Sequence, residues 1–232
     1  MSGAPVPVDL WLWPLDAETP PTADPAALLS SDETARAARF VLRRDALRHV
    51  AARGGLRRIL GLYTQSPPRS LRFAYGQGGK PRLPRGPSFN LSHSGGWAAL
   101  AVGPPGLSLG LDIEKPGLWD PCLARTFLSA REYATLTALP PEDRAGALLR
   151  CWTRKEALIK AEGGGLAIPL DSFSVGHRPG VGAVLEAADP PLAPAGEWLL
   201  HDLDLADGYA GALALRATAI RVRRRDRHEA GL

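Results

Sequence analysis

Cys151 to Leu166 reads C-W-T-R-K-E-A-L-I-K-A-E-G-G-G-L, and the reading of the whole chain turns on this stretch. At 3.6 residues per turn, Trp152, Glu156 and Lys160 fall at i, i+4 and i+8 and share roughly 80° of a helix circumference. Leu148, Cys151, Leu158 and Ile159 line the adjoining arc, so Glu156 and Lys160 stand at the rim of an apolar face. Three glycines close the helix. Taken alone, the stretch has two readings. One is an amphipathic helix with a Glu-to-Lys pair worth roughly 0.2–0.5 kcal/mol; the other is a helix that presents an acid and a cation to a site. The rest of the chain has to decide between them.

Composition narrows the classes. The chain has 232 residues, 45% hydrophobic and 22% charged, as expected for a globular protein with a full core rather than a disordered or coiled-coil chain. No apolar run approaches the roughly 18–20 residues of a membrane span, and M-S-G-A-P-V-P lacks the charged and apolar regions of a secretion signal. A cytoplasmic protein with no membrane partner is the expectation. Cys122 and Cys151 have neither CxxC spacing nor companion histidines, which leaves buried free thiols. The net charge is +4, with arginines crowded from Arg36 to Arg58 and again from Arg221 to Arg227. Phosphates or an acidic protein are natural partners. Nucleic acid is disfavoured, because no aromatic stacking platform or base-reading motif accompanies the arginines. The terminal cluster reads as a solvated tail.

Along the chain, Val8 to Leu15 alternates as a strand. Ser30 or Ser31 caps a helix running toward His49, and Gly54-Gly55 interrupts it before Leu56 to Tyr63. Gly76 to Gly86 is a Gly/Pro/basic loop containing Lys80. F-N-L-S-H-S, Phe89 to Ser94, leads into an apolar strand, Trp97 to Val102, and a proline-glycine turn returns the chain as a hairpin through G-L-D-I-E, Gly110 to Glu114. Arg125 to Ala138 is helical, with Ser129 to Glu132 as an internal capping start, and a further helix runs from Glu142 to Glu162. Pro169 to Val175 opens a run of strands that ends in a hairpin around Asp207-Gly208.

In a strand, alternate side chains share a face, so Asp112 and Glu114 project together while Leu111 and Ile113 enter the core. With Glu156 they make three oxygen donors, the kind a hard cation such as Mg²⁺ takes when it shares a site with a phosphate substrate. Lys160, Lys80 and the arginines of the first helix suit the phosphate charge, and Ser92 and His93 add a hydroxyl and an imidazole. Neither GxxxxGK[ST] nor G-x-G-x-x-G after a strand occurs, which disfavours the common nucleotide folds. Ser92 and His93 are adjacent on an extended segment and face opposite ways, and no G-x-S-x-G is present, so a serine hydrolase is disfavoured.

The ordered set G-K-P (79–81), F-N-L-S-H-S (89–94), G-L-D-I-E (110–114), W-T-R-K-E-A-L-I-K-A-E-G-G-G-L (152–166) and P-L-D-S-F-S-V (169–175) resembles the 4′-phosphopantetheinyl transferases of the surfactin type. The resemblance covers Ser31 to Val175 and is weak outside it. It implies an α+β pseudodimer of two similar halves, each with a small antiparallel sheet packed on helices: 1–106, 107–222 carrying the metal site, and a basic tail at 223–232. The activity it implies is transfer of the 4′-phosphopantetheine arm of coenzyme A to a serine of an apo acyl, peptidyl or aryl carrier protein, with Mg²⁺ or Mn²⁺, by a monomer. Asp112, Glu114 and Glu156 match the metal positions. Lys160 matches the contact to the transferred phosphate, and Glu156, Lys160 and Asp112 form the catalytic set. Ser92, His93 and Lys80 match positions at the nucleotide end, with Arg36 and Arg48 as basic contacts to the 3′-phosphate. Trp152 is read as packing. Leu118, Trp119 and Phe127 are candidates for the carrier-facing patch.

Overall fold

The computed structural model describes residues 4–16, 24–76, 78–117, 120–164, 167–177, 185–188, 192, 195–205 and 208–232. Period-two alternation explains how the first strand sits. In β1 (Val6–Pro14), Trp11 and Trp13 turn toward a long helix, and Val8, Leu10 and Leu12 turn toward a second sheet. The helix on that side is α2 (Arg43–Thr64); α1 (Ser31–Ala37) precedes it. The break falls between these two helices and not at Gly54-Gly55, which lie inside α2. A Cβ on Gly54 would stand 2.6 Å from Pro25 Cβ, and one on Gly55 would stand 2.6 Å from Trp13 Cε2. These glycines let neighbours approach the helix closely, against a propensity cost of about 1 kcal/mol each.

The arginines of α2 are not a free basic face. Glu33 of α1 accepts from Arg53 Nε at 2.8 Å and from Arg57 Nε at 2.6 Å. Both guanidiniums lie 5.1 Å from the ring centroid of Phe73. Burying one carboxylate between two arginines gives each charge a partner, as burial demands.

After the short pair β2 (Ala74–Tyr75) and β3 (Pro81–Arg82), the chain forms β4 (Ser88–Ser94), β5 (Trp97–Gly103) and β6 (Leu109–Glu114). The expected hairpin between the second and third of these does not form. Strand β5 pairs with β4 and β1, whereas β6 joins another sheet with β10 (Ala210–Arg216) and β9 (Trp198–Asp202). Edge strands β4 and β6 are instead joined by side chains. Asn90 Oδ1 accepts from Leu111 N at 2.7 Å, Ser92 Oγ from Ile113 N at 3.3 Å, and Ser94 Oγ from Lys115 N at 3.2 Å. Alternate residues of the N-x-S-x-S run therefore satisfy alternate backbone donors across the seam between the halves.

In the second half come α3 (Pro121–Phe127), α4 (Ala130–Thr137) and α5 (Pro141–Glu162), with β7 (Phe173–Val175) paired to β8 (Leu185–Ala188). The predicted capping box is present at Ser129 and Glu132. The same Glu132 also accepts from Val175 N at 2.7 Å and pairs with Lys155 Nζ at 2.8 Å. Lys155 is fully buried and donates to the carbonyls of Leu170 at 2.6 Å and Phe173 at 2.5 Å. This knot ties α5 to α4, to β7 and to the segment before it, and so fixes the roll of α5 and the direction of Glu156 beside Lys155.

The chain is thus an α+β protein of two halves, each laying a 22-residue helix on a sheet, with the sheets packed face to face through Leu10, Leu111, Ile113 and Leu213. The last residues depart from the expected tail. β11 (Ile220–Arg224) runs parallel to β1 as an edge strand of the first sheet. Asp9 accepts from Arg223 at 2.8 Å and from Tyr63 Oη at 2.5 Å, and Arg58 donates to the Gly231 carbonyl at 2.7 Å. Alternating Ile220 and Val222 supply the apolar face that a solvated tail lacks.

Candidate active site

Residues 110, 112 and 114 of β6 face α5. Gly110 has no side chain, so the helix backbone comes down onto the strand there, and Asp112 lies under Lys160. Asp112 is 2% exposed. Its Oδ1 accepts from Lys160 Nζ at 2.6 Å and from Ser92 Oγ at 2.9 Å, while its Oδ2 is buried with no partner among the described residues. Glu114 accepts from Ser94 Oγ at 2.5 Å and from Trp152 Nε1 at 3.4 Å. Glu156 Oε2 lies 3.8 Å from Lys160 Nζ. Burial raises the pKa of Glu156, Lys160 lowers it by less, and Glu114 adds to the rise.

Among the described residues, no three His, Cys, Asp or Glu side chains are gathered closely enough to hold a metal ion. The donor set nonetheless fits one. Oδ2 of Asp112 is a buried, orphaned oxygen, and Glu114 is close enough to both Asp112 and Glu156 to raise the proton affinity of each. Lys160 stands between Asp112 and Glu156 and satisfies part of their charge.

A cleft of about 470 Å³ opens beside this cluster, between the halves. Arg36, His49, Lys80, His93 and Lys160 line it. Arg36 is exposed and makes no ion pair among the described residues. His93 is exposed at the lip; crowding by the cleft walls and the Lys160 ammonium hold its pKa below the ordinary imidazole value. Ser92, one residue earlier, points inward to Asp112, as the alternation of an extended segment requires.

Three sequence-based expectations change at this point. Ser92 is buried and acts behind Asp112; it offers no free hydroxyl to the cleft. Lys80 lines the cleft, but its ammonium donates to the carbonyls of Leu109 at 2.7 Å and Lys160 at 2.6 Å, and burial lowers its pKa to about 8. It ties the loop to the start of β6 and the end of α5. Arg48 pairs with Asp16 and does not line the cleft. Trp152 packs edge-on against Phe127 at 4.8 Å, as expected of a packing residue. Phe127 is therefore core, and Leu118 and Trp119 lie outside the described residues. Cys151 is buried but Cys122 is exposed. The sequence reading missed Asn90, Glu132, His49 and Lys155. The capping box was the one signal that pointed to Glu132, and the N-x-S-x-S alternation could have pointed to Asn90.

Asp112 carries a testable electrostatic load. Burial raises its pKa to about 6, although the Lys160 and Ser92 contacts pull it down. Its folded-state pKa lies above the ordinary value of 3.8, so the associated stability is fully present below pH 3.8 and is lost as pH rises through about 6. Asparagine cannot ionise. Asp112→Asn is therefore expected to stabilise the metal-free protein at pH 7 by up to about 3 kcal/mol, seen as a higher thermal midpoint. It should give no such gain at pH 4. Melting curves at both pH values check this, and a pH-independent difference would refute it.

Family models match both halves of the chain. Residues 108–214 match the 4′-phosphopantetheinyl transferase superfamily, and residues 21–104 match the 4′-phosphopantetheinyl transferase N-terminal family. The 4′-phosphopantetheinyl transferase HetI of Nostoc sp. is 39% identical over 215 residues, 90% of this chain and 87% of that protein. The 4′-phosphopantetheinyl transferase Sfp of Bacillus subtilis is 34% identical over 151 residues, 64% of this chain and 66% of that protein. AcpT of Salmonella typhimurium is 43% identical over 94 residues, 39% of this chain and 48% of that protein. Both halves are thus matched by one group of enzymes, and the chain belongs to the 4′-phosphopantetheinyl transferase superfamily.

Proposed function

We propose that the chain moves the 4′-phosphopantetheine arm of coenzyme A onto a serine of an apo carrier protein and releases adenosine 3′,5′-bisphosphate. The observation that carries this reading is the Asp112–Lys160–Glu156 cluster at the edge of the cleft between the halves. The catalytic unit is one chain whose halves divide at 106/107, with β11 returning to the first half, acting in the cytoplasm. Among the described residues, no helix is long and apolar enough to cross a membrane.

The cleft residues Arg36 and His93 face the anionic nucleotide, and Lys160 neutralises charge on the phosphate that is transferred. Asp112, Glu114 and Glu156 would hold Mg²⁺ or Mn²⁺, which supplies charge stabilisation at the pyrophosphate when bound. Glu156 takes the proton of the attacking serine. Its raised pKa makes it a stronger base than an ordinary carboxylate. The serine oxygen bonds to the phosphorus that bears pantetheine, and the bridging oxygen leaves with its electron pair on the bisphosphate. Lys160 gives up part of its bond to Asp112 as it turns to the phosphate. Ser92 stays on Asp112 and keeps that carboxylate oriented.

Incubation with coenzyme A, Mg²⁺ and several apo acyl, peptidyl and aryl carrier proteins is expected to add about 340 Da to a carrier, the mass of the transferred arm. No gain on any carrier would defeat the proposal.

A further inference from the structure

One cleft residue has no part in the mechanism above. His49, on α2, is 8% exposed, contributes to the cleft wall, and has a buried Nε2 with no hydrogen-bond partner among the described residues. A buried nitrogen left unpaired costs about 1–3 kcal/mol, which an apolar side chain in the same space would avoid. Packing alone therefore does not account for an imidazole here. Its surroundings are cationic. Arg36 comes from α1, Arg53 from α2 and His93 from β4, and the nearest acid, Glu33 of α1, is already paired with Arg53 and Arg57. The Phe40 ring lies beside it, centroid to centroid 5.2 Å.

We propose that His49 is the proton-linked cation of an anion subsite: a phosphomonoester entering the cleft beside Arg36 is matched by protonation of His49, and the proton is taken from solvent together with the ligand. This rests on the coenzyme A reading, since the 3′-phosphate of coenzyme A is such a group. In the empty cleft, burial and the charges of Arg53, Arg36 and His93 lower the pKa of His49 to about 4, so the ring is neutral at pH 7. An anion at close range reverses the balance and favours the charged ring by roughly 1–3 pH units. Between about pH 4 and the new, higher value, the bound state holds a proton that the free state lacks, so affinity rises as pH falls across that window. Neutral when empty, the group spares the cleft a further buried charge; charged when filled, it adds a donor to the phosphate.

Calorimetry of coenzyme A binding to the full chain near pH 6, in two buffers of different ionisation enthalpy, counts the protons taken up. The wild type is expected to take up about 0.1–0.9 of a proton per ligand beyond the His49→Gln variant, about half a proton for a rise of two pH units. The variant should bind coenzyme A about tenfold more weakly, with dephospho-coenzyme A unaffected. Equal proton uptake in the two proteins would overturn the inference while leaving the transferase reading intact. Absence of any coenzyme A binding by the wild type would instead strike the transferase reading. The inference is then tested without it, and without relying on the variant's folding, by following the ring proton of His49 in the wild type with and without inorganic phosphate. A midpoint that rises by about one unit or more supports it, and an unmoved midpoint overturns it.

Discussion

Glu156→Gln is expected to lower turnover by about 10²–10⁴-fold, the range that removal of a general base produces, while coenzyme A affinity falls by no more than about tenfold. Glutamine keeps the size of the side chain and a polar oxygen toward Lys160, which lies 3.8 Å from the carboxylate, so packing along the rim of α5 should survive. What disappears is the capacity to accept the serine proton. The distinguishing readout is the split between kinetic constants. A side chain that served only to anchor coenzyme A would raise KM and spare kcat. The pH profile adds a second check. Burial raises the pKa of Glu156, so wild-type activity should be lost as pH falls through that raised value, and this limb should vanish in the residual activity of the variant. Near-normal turnover would sink the assignment. Lys160→Ala should also depress kcat, and it removes the only cation bonded to Asp112 among the described residues.

The sequence carried these two roles farther than it carried the fold around them. Glu156 and Lys160 were legible because a helix has one period and their spacing places both on one rim. Asp112 and Glu114 were legible for the matching reason in a strand. The pairing of β5 was not, because alternation shows which side of a strand is apolar and says nothing about which edge finds which partner; the chain crosses to another sheet at β6. Gly54 and Gly55 look like a helix break until Pro25 and Trp13 are seen packed on them, a contact between distant parts of the chain. Lys80 looks like a free cation in a loop, and only the tertiary fold brings it to the Leu109 and Lys160 carbonyls. Likewise Lys155, next to the base in sequence, carries no periodic signal that separates it from an exposed lysine. Burial against Glu132 and two carbonyls gives it its role, and that burial depends on β7 and the segment before it. His49 was invisible for the opposite reason: it is defined by a partner it lacks.

Gly110→Ala is expected to have the other large effect, on stability and turnover together. A Cβ at 110 would overlap the carbonyl oxygen of Ala157 and stand 2.5 Å from Ala161 N and 3.0 Å from the Ala157 carbonyl carbon. These are backbone atoms of α5, so no side-chain rotation relieves the contact, and the helix must lift from the strand. Overpacking of this kind costs about 1–3 kcal/mol or more. The same displacement acts at the site, because Gly110 and Asp112 share one face of β6 while Ala157, Ala161 and the catalytic pair share α5. Lifting the helix by about 1 Å stretches the 2.6 Å contact of Lys160 with Asp112 and moves Glu156 with it, and a misplacement of that size can cost about 10²-fold in rate. Gly117→Ala is the control, since a Cβ there meets nothing within 4 Å. Thermal midpoints and kcat of the two variants, compared under conditions where both remain folded, separate the effects. Wild-type melting and wild-type turnover for Gly110→Ala would mean that the spacing between strand and helix does not set the geometry of the acid, the lysine and the base.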